Sequence, residues 1–157
     1  VCVPNGPPKC EICPLNGQCR AFLERKTARF PVKADKKARK EQKRTVFLLR
    51  CGNKLALEKR PAKGLLAGLW EFPNAPGILE LPEALKTVEE LGLKPRDLLR
   101  QTERSHIFTH IQWDMQGIYL EVACPVKEYQ WMDPQTIRTQ AALPTAFRQF
   151  WEEIDLV

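Results

Sequence analysis

The stretch GLWEFPNAPGILELPEALKTVEELGL, residues 68–93, decides the fold class of this chain. In its first half Gly68, Pro73, Pro76 and Gly77 mark loops, and the large apolar side chains of Leu69, Trp70 and Phe72 between them are expected in a core. In the second half the period changes. Leu81, Ala84, Leu85, Val88 and Leu91 follow helical spacing, with Pro82 at the first turn and Gly92 as the stop. A helix apolar on one side needs a surface to cover, so a sheet is expected around it.

The flanking segments supply that sheet. TVFLLRC (45–51) is rich in β-formers, Gly52-Asn53 is a hairpin turn, and KLALEKR (54–60) returns antiparallel. Residues 99–108 and 110–123 read as two more strands. In the second of these the inward set is Trp113 and Met115 before Gly117, then Ile118, Leu120 and Val122 after it, a change of phase that predicts a β-bulge at Gly117. A short strand over 129–132 and a last helix over 144–154, with Phe147, Phe150, Trp151 and Ile154 on one face, complete the pattern. Strands mixed with helices in this order make an α+β fold around a mixed sheet with flanking helices.

At 157 residues and 43% apolar content the chain holds one ordinary core plus an appendage. It has no apolar run of the length that spans a membrane. The net charge of +6 is unevenly placed: residues 24–44 hold ten lysines and arginines against three acids, and the rest of the chain is close to neutral. Such a block, with few apolar residues and Pro31 within it, reads as a solvated connector that can also touch phosphates, with an affinity that would fall steeply with salt. Because the sequence starts at Val1, next to its first cysteine, we expect a fragment of a longer protein.

Cys2, Cys10, Cys13 and Cys19 crowd the N-terminus. Thiolates at such spacings can converge on one tetrahedral ion or one iron–sulfur cluster, and four of them satisfy structural zinc equally well. A disulfide knot fits less well, since only Cys51 and Cys124 remain, each inside an apolar run, with no signal-peptide pattern ahead of them.

Several stretches resemble known families. One cysteine, a longer gap, then CEICPLNGQC (10–19) resembles the [4Fe-4S] loop of the MutY-type adenine DNA glycosylases and their endonuclease III relatives, although the gap from Cys2 to Cys10 is one residue longer than usual there. The resemblance implies a [4Fe-4S] cluster on Cys2, Cys10, Cys13 and Cys19, open to loss or to replacement by zinc in a fragment, with Lys9 and Arg20 as candidate contacts to the DNA backbone. Residues 68–93 resemble the Nudix (MutT-like) domain, whose box places several glutamates on a helix to hold Mg²⁺ at a diphosphate. Only Glu89, Glu90 and Gly92 of that box remain: Leu85 and Lys86 stand where an Arg and a Glu are expected, and Gly77 where an earlier Glu falls. Lys86 would oppose a metal and is expected to pair with Glu89 and Glu90, which then form a solvated face.

RSHIFTHIQWDM (104–115) resembles the hairpin on which the MutY C-terminal domain carries a Phe-Ser-His triplet that touches 8-oxoguanine. Here the triplet is Phe108, Thr109 and His110, and Thr109 keeps the hydroxyl. The resemblance implies that Phe108 wedges into or stacks on bases and that His110 contacts the lesion or its backbone. Taken singly, a strand Phe is usually core and a strand Thr needs only its β propensity. LPTAFRQF (143–150) is similar to the family's closing helix.

The expectation is therefore an iron–sulfur loop (1–23), a basic interdomain connector (24–44) and a MutT/Nudix-like lesion-recognition domain (45–157). The resemblance implies the C-terminal part of an adenine DNA glycosylase of base excision repair. The full enzyme would remove adenine mispaired with 8-oxoguanine; this part would recognise 8-oxoguanine in double-stranded DNA and lack the catalytic domain. Repair or replication proteins at the connector, no membrane, and a bacterial cytoplasmic, nucleoid-associated location belong to the same expectation. A Mg²⁺-dependent Nudix hydrolase and a zinc-bearing nucleic-acid-binding module are the alternatives.

Overall fold

Strand β1 (Lys40–Cys51) lies at the centre of the sheet, and its five consecutive buried residues, Thr45 to Leu49, point alternately into two separate cores. The structure, a computed structural model, describes residues 2–3, 6–30, 32, 38–123 and 126–151. It divides into two compact units, Val1–Ala38 and Arg39–Val157.

In the second unit β1 turns through Gly52 and Asn53 into β2 (Lys54–Lys59), with Cys51 opposite Lys54. Gly52 takes φ 61° while Asn53 stays negative, the signs of a type II′ hairpin turn, which calls for glycine at the first central position. Strands β3 (Trp70–Glu71), β4 (Asn74–Pro76), β5 (Pro95–Ile107), β6 (Ile111–Val122) and β7 (Gln130–Met132) follow. The order is β3-β2-β1-β6-β5, with β4 paired to β1 and β7 to β2. Among the described residues only β1 and β6 pair in parallel, Lys40 beside Ile111 through Arg50 beside Glu121. The sheet is mixed, as expected.

Helices cover both faces. Helix α2 (Leu81–Glu90) lays Ala84 and Val88 on a core with Phe47, Leu49, Ile118 and Leu120. Its N-terminal approach is fixed by buried Thr45, whose hydroxyl donates to the Gly77 carbonyl and accepts from the Leu79 N–H, both at 2.9 Å. Leu91, assigned to the apolar face by spacing, is 38% exposed just past the last turn. On the other face α3 (Pro134–Gln140) and α4 (Thr145–Trp151) cover Val46, Leu48, Trp113, Met115 and Tyr119. Phe147, Phe150 and Trp151 are buried there, whereas Ile154 lies outside the described residues. Helix α3 was not expected, although Asp133 accepting from the Thr136 N–H at 3.0 Å and Pro134 in the first turn are ordinary start signals.

Two expectations need correction. Strand β1 starts at Lys40, not Thr45, so the end of the basic segment belongs to the sheet; residues 40–44 all pair with β6, and Arg44 pairs with β4 as well, which outweighs their charge. No bulge occurs at Gly117. The β1–β6 register runs through it without a break, and the irregularities of the β5–β6 ladder lie between Pro95 and Asp97 and between Leu98 and Arg100. The apparent change of phase arises because the second half of β6 is buried on both faces, with Tyr119 in one core and Ile118, Leu120 and Val122 in the other.

In the first unit, α1 (Arg20–Leu23) is flanked by 3-10 turns at Cys10–Ile12 and Thr27–Arg29, and none of these residues is buried. Pro31, Lys33, Lys36 and Lys37 of the connector lie outside the described residues, as does Cys124. Among the described residues no helix is long and apolar enough to cross a membrane.

Gly117 has a packing reason instead. A Cβ there would stand 2.7 Å from two ring atoms of Phe150 and 2.9 Å from the Thr102 hydroxyl oxygen. Gly117→Ala should therefore destabilise the second unit by about 1–3 kcal/mol through overpacking. Urea unfolding followed by tryptophan fluorescence will show this as a lowered midpoint at unchanged slope.

Candidate functional site

Phe108, Thr109 and His110 form the tight connection between β5 and β6, closed by the Phe108 N–H donating to the Ile111 carbonyl at 2.8 Å. Thr109 and His110 are exposed, while Phe108 is half-buried against the core. Its ring meets His106 at 4.7 Å and Trp113 at 5.0 Å, both edge-on. The turn places His106 on β5 and His110 at the tip, so their spacing of four does not make one face.

Below the hairpin sits a cluster that the sequence reading missed. Trp113 is 1% exposed and donates its indole N–H to Gln42 Oε1 at 2.9 Å. The guanidinium of Arg44 lies 4.5 Å from the centre of the Trp113 ring, and that of Arg60 lies 5.7 Å away. Arg60 pairs with buried Glu71, which also accepts from the Asn74 amide at 2.9 Å. Arg44 Nη1 donates to Asn74 Oδ1 at 2.5 Å. Burial, then the neighbouring Arg60, push Arg44 below the usual guanidinium value, and Glu71 acts against this. Glu58, directly opposite Glu71 on paired strands, is pushed above the usual carboxyl value by burial and by the Glu71 charge, with Arg60 opposing. Two signals could have found this cluster: acids inside otherwise apolar strands, and a buried tryptophan whose N–H requires an acceptor.

The glutamates of α2 stand on a solvated face. Glu89 and Glu90 are exposed, and Lys86 Nζ lies 3.8 Å from Glu90 Oε1, one turn away. Among the described residues no group of three or more His, Cys, Asp or Glu side chains is placed to hold a metal ion.

In the first unit, Cys10 opens a 3-10 turn, Cys13 caps it and Cys19 precedes α1. Cys2, Cys10 and Cys19 line one cavity of about 330 Å³. The Cys10 thiol is raised above its usual value by lost solvation and then by Cys2, Cys19, Cys13 and Glu11. An all-sulfur donor set suits a thiophilic ion or an iron–sulfur cluster. Lys9 is exposed, whereas the Arg20 guanidinium is held by Glu24 at 2.7 Å. Glu24, bonded by Lys26 and Arg20, is lowered below its usual value.

A mixed sheet between α2 on one face and α3 and α4 on the other is the architecture of a Nudix domain. Residues 45–153 match the NUDIX domain family, and the chain belongs to it. Adenine DNA glycosylases are among its curated relatives. It is 32% identical to the human enzyme over 92% of this chain and 31% of that protein, and 33% identical to the Arabidopsis thaliana enzyme over 73% and 22%. The chain thus spans about a third or less of the length of these relatives. The C-terminal domain of mouse MUTYH, solved in complex with human PCNA, has the same fold at TM-score 0.53 and 24% identity, covering 74% of this chain and 88% of that one. A MutT protein from Methanosarcina mazei aligns at TM-score 0.60 and 20% identity, covering 77% and 97%.

The Glu58–Glu71 opposition has a measurable consequence. A carboxyl raised in the folded state binds its proton more tightly there than in the unfolded chain, so its ionisation removes stability as pH rises above the unfolded value of 4.5. Glu58→Gln should raise stability at pH 7, and the gain should vanish as pH falls through 4.5 in a series of urea titrations.

Proposed function

We propose that this chain is the C-terminal part of an adenine DNA glycosylase, in which the Nudix domain reads 8-oxoguanine while an upstream helical domain removes the adenine mispaired with it. The observation that carries the reading is the exposed hairpin tip: Thr109 and His110 project from a base packed on Phe108 and Trp113. A short exposed tip on a rigid base suits the probing of a base edge, since the Thr109 hydroxyl can donate or accept and the His110 imidazole can do either according to its tautomer. Phe108 would supply the apolar surface against which bases are displaced. The glutamates of α2, solvated and with Glu90 beside Lys86, favour recognition over Mg²⁺-dependent hydrolysis.

Family catalysis rests on acidic residues upstream of this chain, so the chain alone is inactive and releases no adenine. In the first unit Cys2, Cys10, Cys13 and Cys19 would hold a [4Fe-4S] cluster. Such a cluster supplies a fixed, thiolate-bound anchor for its loop. The chain's own part is to present Lys9, and Arg20 once released from Glu24, to DNA phosphates. The complex of the mouse domain with human PCNA supports a replication or repair partner for this chain too; the basic segment is the surface that would receive it.

Lesion reading is tested by duplex binding. The chain should prefer adenine·8-oxoguanine over adenine·guanine, and Phe108→Ala and Thr109→Ala should each cut that preference several-fold without lowering the unfolding midpoint; equal affinity for the two duplexes overturns the reading. For the cofactor, anaerobic reconstitution should incorporate iron and acid-labile sulfide in equal amounts, and Cys13→Ala should abolish uptake. Stoichiometric zinc with no iron uptake would instead assign the thiols to zinc.

A further inference from the structure

Three contacts from the first half of β1 converge on the base of the hairpin. The Lys40 N–H donates to the His110 carbonyl at 3.0 Å. Two residues on, Gln42 Oε1 accepts from the Trp113 indole at 2.9 Å, and two further on the Arg44 guanidinium covers the same ring. Together with the Phe108 N–H bond to Ile111, the Lys40 contact fixes the backbone of the tip. It does not fix the Phe108 side chain. That ring is oriented by two edge-on neighbours, His106 on an edge strand and Trp113 in the core, at interplanar angles of 68° and 71°.

Edge-to-face contacts depend on the tilt of both rings, so whatever sets the tilt of Trp113 sets that of Phe108. Apolar packing against Phe147 at 5.8 Å confines Trp113 but is tolerant of rotation. The indole N–H is directional, and at 1% exposure it cannot turn to water. We propose that Gln42 is a positioning residue for the recognition hairpin: by holding the Trp113 indole it sets the plane of Phe108 and the presentation of Thr109 and His110 to an oxidised purine. Gln42 stands in a sequence segment that reads as charged connector, and its side chain touches the site only through Trp113.

The second half of this inference rests on the lesion-reading function proposed above, and the first half does not. The test uses the whole chain with Gln42→Leu, which removes the acceptor, and Gln42→Glu, which keeps one. Two readouts are taken: ring-proton contacts between Phe108 and Trp113 by NMR, and relative affinity for adenine·8-oxoguanine, adenine·guanine and fully matched duplexes. Gln42→Leu should lose the ring contacts and about three- to tenfold of the lesion preference, the worth of one hydrogen bond, with matched-duplex affinity unchanged. Gln42→Glu should retain both. Ring contacts that persist in Gln42→Leu, or an equal loss of affinity for all three duplexes, overturn the positioning role. A wild-type chain without lesion preference would overturn the function proposed above, while the ring contacts still decide whether Gln42 positions the hairpin.

Discussion

A buried indole must give its N–H to an acceptor, and in this protein that requirement ties the sheet to the hairpin. Trp113 lies beside Gln42 in the parallel register of β6 and β1, so the acceptor arrives from the neighbouring strand at the same level. Its ring then serves four neighbours: Phe108 and Phe147 edge-on, and the guanidiniums of Arg44 and Arg60. Two cations beside one ring need a compensating charge, and Glu71, buried on β3, provides it through Arg60 and Asn74. Core packing, ion pairing and the orientation of the exposed tip thus share one side chain.

The scaffold is that of a Nudix domain, yet the helix that bears metal-binding glutamates in a working hydrolase of this family is an ordinary amphipathic cover. Its buried side, Ala84 and Val88, packs on the sheet, and its solvent side carries a lysine within one turn of Glu90. The polar organisation of the domain has its centre on the opposite face of the sheet, around Trp113. The first unit is built differently again: none of its described residues is buried, and Cys2, Cys10 and Cys19 line one cavity without an apolar core beneath them.

Most of the fold was legible. The β1–β2 hairpin, α2, β7 and the buried face of α4 follow from period and turn chemistry alone. The failures share a cause, which is that tertiary pairing overrides local character. Lys40 to Arg44 look solvated, but paired along β6, with Arg44 also against β4, they become strand. Gly117 looks like a break in phase because burial on both faces erases the alternation from which strands are read. The hairpin tip could be located from its motif; of its supports the chain offers only an acid inside an apolar strand and a tryptophan N–H that wants an acceptor, not which residues answer them. Gln42, Arg44, Arg60 and Glu71 come from distant stretches of chain, and nothing in their spacing announces that they meet.

The pairing of residues 40–50 with 111–121 also bears on how the molecule comes to be. The two partners are separated by the entire β2 to β5 segment, so the central ladder cannot close while the chain is still being extended toward residue 111, and the entropy of closing that long loop falls on the slowest step. Until then the β1–β2 hairpin is an apolar ribbon whose β1 edge lacks β6 and whose β2 edge lacks β7. A nascent chain paused in that interval is the form most exposed to aggregation and most dependent on chaperones.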